Sequence, residues 1–144
     1  MSVSSTVAAS VEGVASKPFR VRVAAAAVAA SAANLLVLAV ALLLEFAPGF
    51  RPLSVAPIVF LTVLGVVGAG LVYAFLDQRT DAGDDLFRTV ALAVLAVSFV
   101  PDLALLVFDP AATVLGVLAL VTMHVVVAAI CLAVVPGDAP DLLV

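Results

Sequence analysis

The chain has 144 residues, 66% of them hydrophobic and 11% charged, with a mean hydropathy of +1.39 and a formal net charge of −4. So little polar surface cannot cover a soluble domain of this size, so the composition excludes a water-soluble globule and makes lipid the solvent. Six basic against ten acidic residues exclude nucleic acid as a partner, and a single cysteine, Cys131, excludes an internal disulfide or a cysteine-based metal site.

A membrane span takes about 20 mainly apolar residues to cross roughly 30 Å of hydrocarbon, which leaves room for four spans and little else. Residues 1–16, MSVSSTVAASVEGVAS, have no hydrophobic period and read as a disordered tail. Span 1 covers about 21–47, with Ser16 as N-cap and Pro18 in the first turn, and stops before Pro48-Gly49. It is too long for a signal peptide, and EFAPGF lacks a small-x-small cleavage site. Span 2 covers about 55–76, capped by Ser54 with Pro57 in its first turn, and the charged loop DQRTDAGDD follows. Span 3 runs over 86–108. Asp109-Pro110 then offers a cap and a first-position proline for span 4, 111–135, which Pro136 ends before a short tail, 137–144. Short loops make consecutive spans antiparallel neighbours, so residues 17–136 are expected to form an all-α, integral membrane, antiparallel four-helix bundle.

Lys17, Arg20 and Arg22 precede span 1, Arg79 and Arg88 flank the middle loop, and Arg51 alone lies on the other side. By the positive-inside rule both termini and the middle loop face the cytoplasm, with the plasma membrane as the expected location.

Polar residues interrupt the apolar runs. Counted at about 1.5 Å per residue from the expected span boundaries, Asn34, Ser98 and His124 each lie about 18 Å deep. By the same count Asp102 is about 12 Å from the level of His124. Pro101 lacks an N–H and crowds the carbonyl of Val97, so span 3 is expected to be proline-interrupted, with Asp102 in the first turn of an outer half-helix and Ser98 bonding a freed carbonyl. A carboxylate there needs water, a cation or a proton. A wet, outward-facing crevice in which Asp102 only caps the half-helix is the first expectation, and Arg51 is the best candidate for a side-chain partner, with Glu45 competing for it. Asp102, His124, Ser98, Asn34 and Tyr73 are the candidates for proton handling or ligand contact. Asn34, Ser31, Thr62 and Ser98 are better explained as hydrogen bonds that hold helices together, and Gly65, Gly68, Ala69 and Gly70 as a close-packing surface.

Ser98, Asp102 and His124 have the composition of a catalytic triad, but the depth difference, the lack of a glycine-flanked nucleophile turn and the lack of an oxyanion hole argue against an enzyme. One histidine supplies too few ligands for zinc, and Met123 points about 100° away from it, so no metal or other cofactor is expected.

AANLLV in the first span, GVVGAGLVY in the second, LAVSFVPD in the third and LALVTMHVVVAAI in the fourth resemble a family of small four-span prokaryotic membrane proteins classified only as a domain of unknown function. The resemblance covers roughly residues 21–135 and implies the fold without a mechanism. The first expectation for function is a structural or accessory helical module that self-associates or packs in a larger membrane complex. The alternatives are a proton or small-solute carrier or channel using Asp102 and His124, and a binder of a small lipophilic ligand such as a quinone or lipid, with Tyr73, Asn34 or His124 as polar contacts.

Overall fold

The computed structural model describes residues 3–137 and contains five helices: α1 (Val3–Ala15), α2 (Phe19–Leu43), α3 (Val55–Asp77), α4 (Gly83–Phe108) and α5 (Val114–Val134). Helices α2 to α5 are 21 to 26 residues long with mean hydropathies of 2.3 to 2.7. At about 1.5 Å per residue each reaches across a hydrocarbon core of roughly 30 Å, so the protein is a multi-pass membrane helix bundle. Each helix packs on its neighbour in sequence, α2 also packs on α5, and α3 touches α5 across the centre; among the described residues α2 and α4 do not meet. α2 and α4 thus lie on opposite sides of the α3–α5 contact.

The interior has two apolar blocks. One, near the α2–α3 and α4–α5 loops, gathers Leu38, Ala41, Phe50, Ile58, Val117 and Met123. The other, toward the basic end of the bundle, gathers Ala26, Ala30, Val66, Tyr73, Phe87 and Cys131. Asn34 and Thr62 fall between them along the chain, each with a member of one block a turn before it and a member of the other a turn after.

Several boundaries differ from those expected. Residues 3–15 form a helix rather than a disordered tail. It is largely exposed, lies against α2 and α5, and contains a Ser10 hydroxyl donating to Thr6 O at 2.9 Å. A missing hydrophobic period rules out a buried face, whereas helix formers such as Ala8, Ala9 and Glu12 still favour the local conformation. Pro18 itself is the N-cap of α2, and Ser16 folds back to Gly13 O at 3.1 Å instead of capping. Ser54 does occupy the N-cap of α3, although its hydroxyl donates to Arg51 O at 2.8 Å.

The first span ends at Leu43, four residues early, because Glu45 turns into the left-handed region with φ 51°. Phe46 N donates to Ala41 O at 2.9 Å and Glu45 N to Leu42 O at 3.2 Å, which is the paired closure of a Schellman motif. Phe46 packs against the apolar block that contains Ala41, completing the motif's hydrophobic contact. The start of α5 also moves. Asp109 Oδ1 accepts Ala111 N at 2.9 Å in a turn of its own, and Thr113 caps the helix by accepting Gly116 N at 3.0 Å while its hydroxyl donates to Phe46 O. One threonine therefore joins the start of α5 to the end of α2.

Candidate functional site

Helix α4 runs from Gly83 to Phe108 without interruption and carries Pro101 inside it. Proline removes one rung of the hydrogen-bond ladder, yet the expected outer half-helix does not separate. Ser98 Oγ donates to Leu95 O at 2.6 Å, three residues back, and so does not serve the Val97 carbonyl that proline leaves without its donor. The aspartate that follows is 7% exposed, the one residue in the C-terminal half of α4 that is buried.

Its partner is the histidine of α5. His124 Nδ1 lies 3.0 Å from Asp102 Oδ2, where depth counting placed the two about 12 Å apart. The count failed because it was anchored at the wrong ends. Asp102 is six residues from the end of α4 and His124 ten residues from the start of α5, so the axial offset is only about 6 Å. The side chains close it: Cα–Cβ bonds lean toward their own helix N-terminus, and in antiparallel helices those leanings converge. Nδ1 also lies 3.0 Å from Leu120 O, one turn earlier on α5. That carbonyl takes the aligned hydrogen bond, whereas Asp102 Oδ2 meets the ring off its N–H axis and has no hydrogen bond of its own. Two acceptors facing Nδ1 hold a proton on it. The arrangement can therefore place a charge or exchange a proton at Nε2. His124 keeps 43% of its side chain exposed on the flank of the bundle, while that of Asp102 is 10% exposed behind it.

Asn34 and Thr62 form a second polar pair between α2 and α3. Asn34 Nδ2 donates to Thr62 Oγ1 at 2.9 Å, with the two residues 2% and 5% exposed. Asn34 Oδ1 and Ser31 Oγ, one turn apart on α2, are buried without a hydrogen bond. The expected grouping of midplane residues thus divides in two, Asn34 with Thr62 on one side and His124 with Asp102 on the other.

Tyr73 belongs to neither. Its hydroxyl sits at the basic end, with Asp84 Oδ1 at 2.7 Å and Gly137 O at 2.8 Å as the two acceptors facing its one proton, while it accepts Gly137 N at 2.8 Å. Phe19 stacks on its ring and Phe87 meets it edge-on, with centroids at 6.2 and 5.2 Å. This knot ties α2, α3, α4 and the residues after α5 together, and it uses up the hydroxyl that was expected to meet a ligand. Arg22, expected only as one of the basic residues that precede span 1, is 3% exposed, and a β-carbon on Gly137 would come within 2.8 Å of its Nη1. The local signal for its burial is its place one turn after Phe19, whose ring its guanidinium overlies at 5.6 Å.

Other expected contacts are not made. Arg51 and Glu45 are both exposed, and neither forms an ion pair with Asp102 or with the other. Of the proposed packing glycines only Gly70 is tightly enclosed, with a β-carbon there meeting Val23 Cγ2 at 2.9 Å. Gly65 would meet Val127 at an ordinary 3.9 Å and Gly68 nothing within 4 Å, while Ala69 packs against the basic-end block. The most crowded glycine is not one of these but Gly116, where a β-carbon would meet Ala47 Cβ at 2.6 Å. Among the described residues no three His, Cys, Asp or Glu side chains gather as metal ligands.

Fold and polar pairs together define a four-span helical membrane protein. The chain belongs to the family of unknown function DUF6069, whose profile matches residues 14–141. No curated protein and no solved structure matches it.

Proposed function

We propose that the protein is a non-catalytic membrane module that acts by lateral association, either with further copies of itself or inside a larger membrane complex. The observation that carries this reading is α4. Only 6% of its most apolar stretch is buried within the chain, against 22 to 33% for the other three spanning helices. Lipid tails do not drive helices together, so a span that adds so little interior is accounted for by a neighbour supplied from outside. The reading also has both termini in the cytoplasm of a plasma-membrane protein, supported by the basic residues at one end of the bundle.

The test is the number and identity of chains in native-lipid particles. Particles holding more than one membrane chain are expected, with Val97→Trp on the exposed face of α4 dispersing them and Val28→Trp on the exposed face of α2 leaving them intact. Single-chain particles free of any co-purifying membrane protein would contradict the proposal. A C-terminal reporter active only outside the cell would contradict the orientation.

A second reading is favoured by one contact, the 3.0 Å approach of His124 to Asp102 at membrane depth, which suits a proton carrier. Liposomes holding the protein and a pH-sensitive dye should then show proton movement that Asp102→Asn and His124→Phe each abolish. Dye response equal to that of protein-free liposomes would remove this reading.

A further inference from the structure

The protein has one histidine. Of the three side chains with a chemistry suited to a bilayer-dissolved ligand, two are occupied inside the fold: the Tyr73 hydroxyl by Asp84 and Gly137, and the Asn34 amide, 2% exposed, by Thr62. Of the three, His124 is the open one, with 43% of its side chain exposed; Thr122 is exposed two residues away, but its hydroxyl donates to Leu118 O at 2.8 Å. Its ring is also oriented. Leu120 O and Asp102 Oδ2 both lie 3.0 Å from Nδ1, so in the neutral imidazole the proton resides there and Nε2 carries a bare lone pair. A carbonyl or carboxylate behind one ring nitrogen fixes the tautomer and the orientation of the ring.

Depth selects what Nε2 can meet. His124 is the eleventh of the 21 residues of α5, about 15 Å from either end of the helix. Glycerol and headgroup hydroxyls remain near the interfaces of a hydrocarbon layer about 30 Å thick and do not reach that level. Val121, Val127 and Ala128, the residues three and four positions away on that side of the helix, add no hydrogen-bonding side chain. A donor that arrives there has to be carried by a molecule soluble in the hydrocarbon core itself.

We propose that the α4–α5 flank at His124 is a binding site for a lipophilic phenol or quinol, whose O–H donates to Nε2 while Asp102 and Leu120 O hold the ring from behind. The site takes the reduced, hydroxyl-bearing form of such a molecule in preference to its quinone, because a quinone offers only acceptors to a nitrogen that is itself an acceptor. It stands apart from the lateral-association reading, since it concerns a small molecule on α5 and not a chain on α4.

The experiment uses the full chain in lipid nanodiscs under anaerobic conditions at mildly alkaline pH, with a decyl-substituted benzoquinol and its oxidised quinone as probes. With ¹⁵N-labelled histidine, the single Nε2 resonance is expected to move saturably with quinol, at an affinity about tenfold higher than for quinone, the discrimination of one hydrogen bond. His124→Phe is expected to lose retention of the quinol. Val125→Trp, which crowds the flank at a residue 44% exposed, is expected to lose it while the histidine remains. Equal retention by wild type and His124→Phe, equal affinity for quinol and quinone, or an Nε2 already bonded to a second protein chain before probe is added would each overturn the proposal. The first two outcomes leave the count of chains per particle unchanged and the third requires more than one chain, so a failure here is separable from a failure of the association reading.

Discussion

Glu45 shows how much a single backbone conformation decides. It occupies the left-handed position after α2, where glycine is the usual residue because a β-carbon there is crowded. Glu45→Gly is expected to raise stability, by up to about 1 kcal/mol after allowing for the freer unfolded chain, whereas the β-branched Glu45→Val is expected to lower it by about as much. Denaturant titration in detergent reads both. Equal midpoints for the two variants would mean that the turn does not hold this conformation in solution.

Tyr73 and Gly137 permit a second single-residue test. Tyr73→Phe leaves Asp84 and the Gly137 N–H without their shared partner and is expected to cost about 1 kcal/mol. Gly137→Ala is expected to cost about 1 to 3 kcal/mol, because its φ of 125° is one that L side chains rarely adopt and the new methyl would press on Arg22. The same unfolding titrations report both, and wild-type midpoints would dissolve the knot. At this scale residue type was legible from the sequence and partner was not. Asp102 and His124 stood out as costly polar groups in an apolar run, but the partner assigned to Asp102 was Arg51, because helix rise locates an α-carbon and says nothing of which way its side chain leans. Tyr73 was visible as a polar-tipped residue in an apolar span, while Gly137, which holds its hydroxyl, lies 64 residues away.

Helix boundaries depended on which feature wrote them. Proline and polar caps marked the start of α3 correctly. They misplaced the start of α5, because Asp109 satisfies its own turn and the real cap, Thr113, is chosen by its reach to Phe46 on another helix. A tertiary contact of that kind has no local signature. Close packing behaves likewise: the run GVVGAG drew attention to Gly65 and Gly68, which touch little, while Gly116 is the crowded position. Gly116→Ala is expected to lower stability by about 1 to 3 kcal/mol through overpacking against Ala47, and Gly68→Ala to be neutral or to raise it by up to about 1 kcal/mol through helix propensity. The reverse order in thermal unfolding would contradict this account of helix contacts. For α4, Pro101→Ala restores a donor to the Val97 carbonyl inside a helix that is already continuous, and is expected to raise stability by about 1 kcal/mol or more without changing helix content by circular dichroism. A gain in helix content would instead show that proline breaks α4.

For the whole molecule, the number of spans, their antiparallel order and the membrane setting were readable because hydrophobic length is dictated by the bilayer and short loops leave one simple connection. The distribution of burial was not. Apolar residues facing lipid and apolar residues facing other helices look alike in a chain that is 66% hydrophobic, so neither the shallow seating of α4 nor the contact of α3 with α5 across the centre could be read in advance. What organises the bundle is the pairing of its membrane-depth polar groups, Asn34 with Thr62 and Asp102 with His124, each pair joining two helices. The second is the more demanding, since a carboxylate in hydrocarbon needs a specific partner.

It is tested most directly by solid-state NMR dipolar recoupling on the protein in bilayers, with ¹⁵N in its one histidine ring and ¹³C in its aspartate carboxyls. A strong coupling is expected between Nδ1 and one carboxyl carbon within about 4 Å, abolished by Asp102→Asn. No such coupling, or one that survives the substitution, would contradict the arrangement.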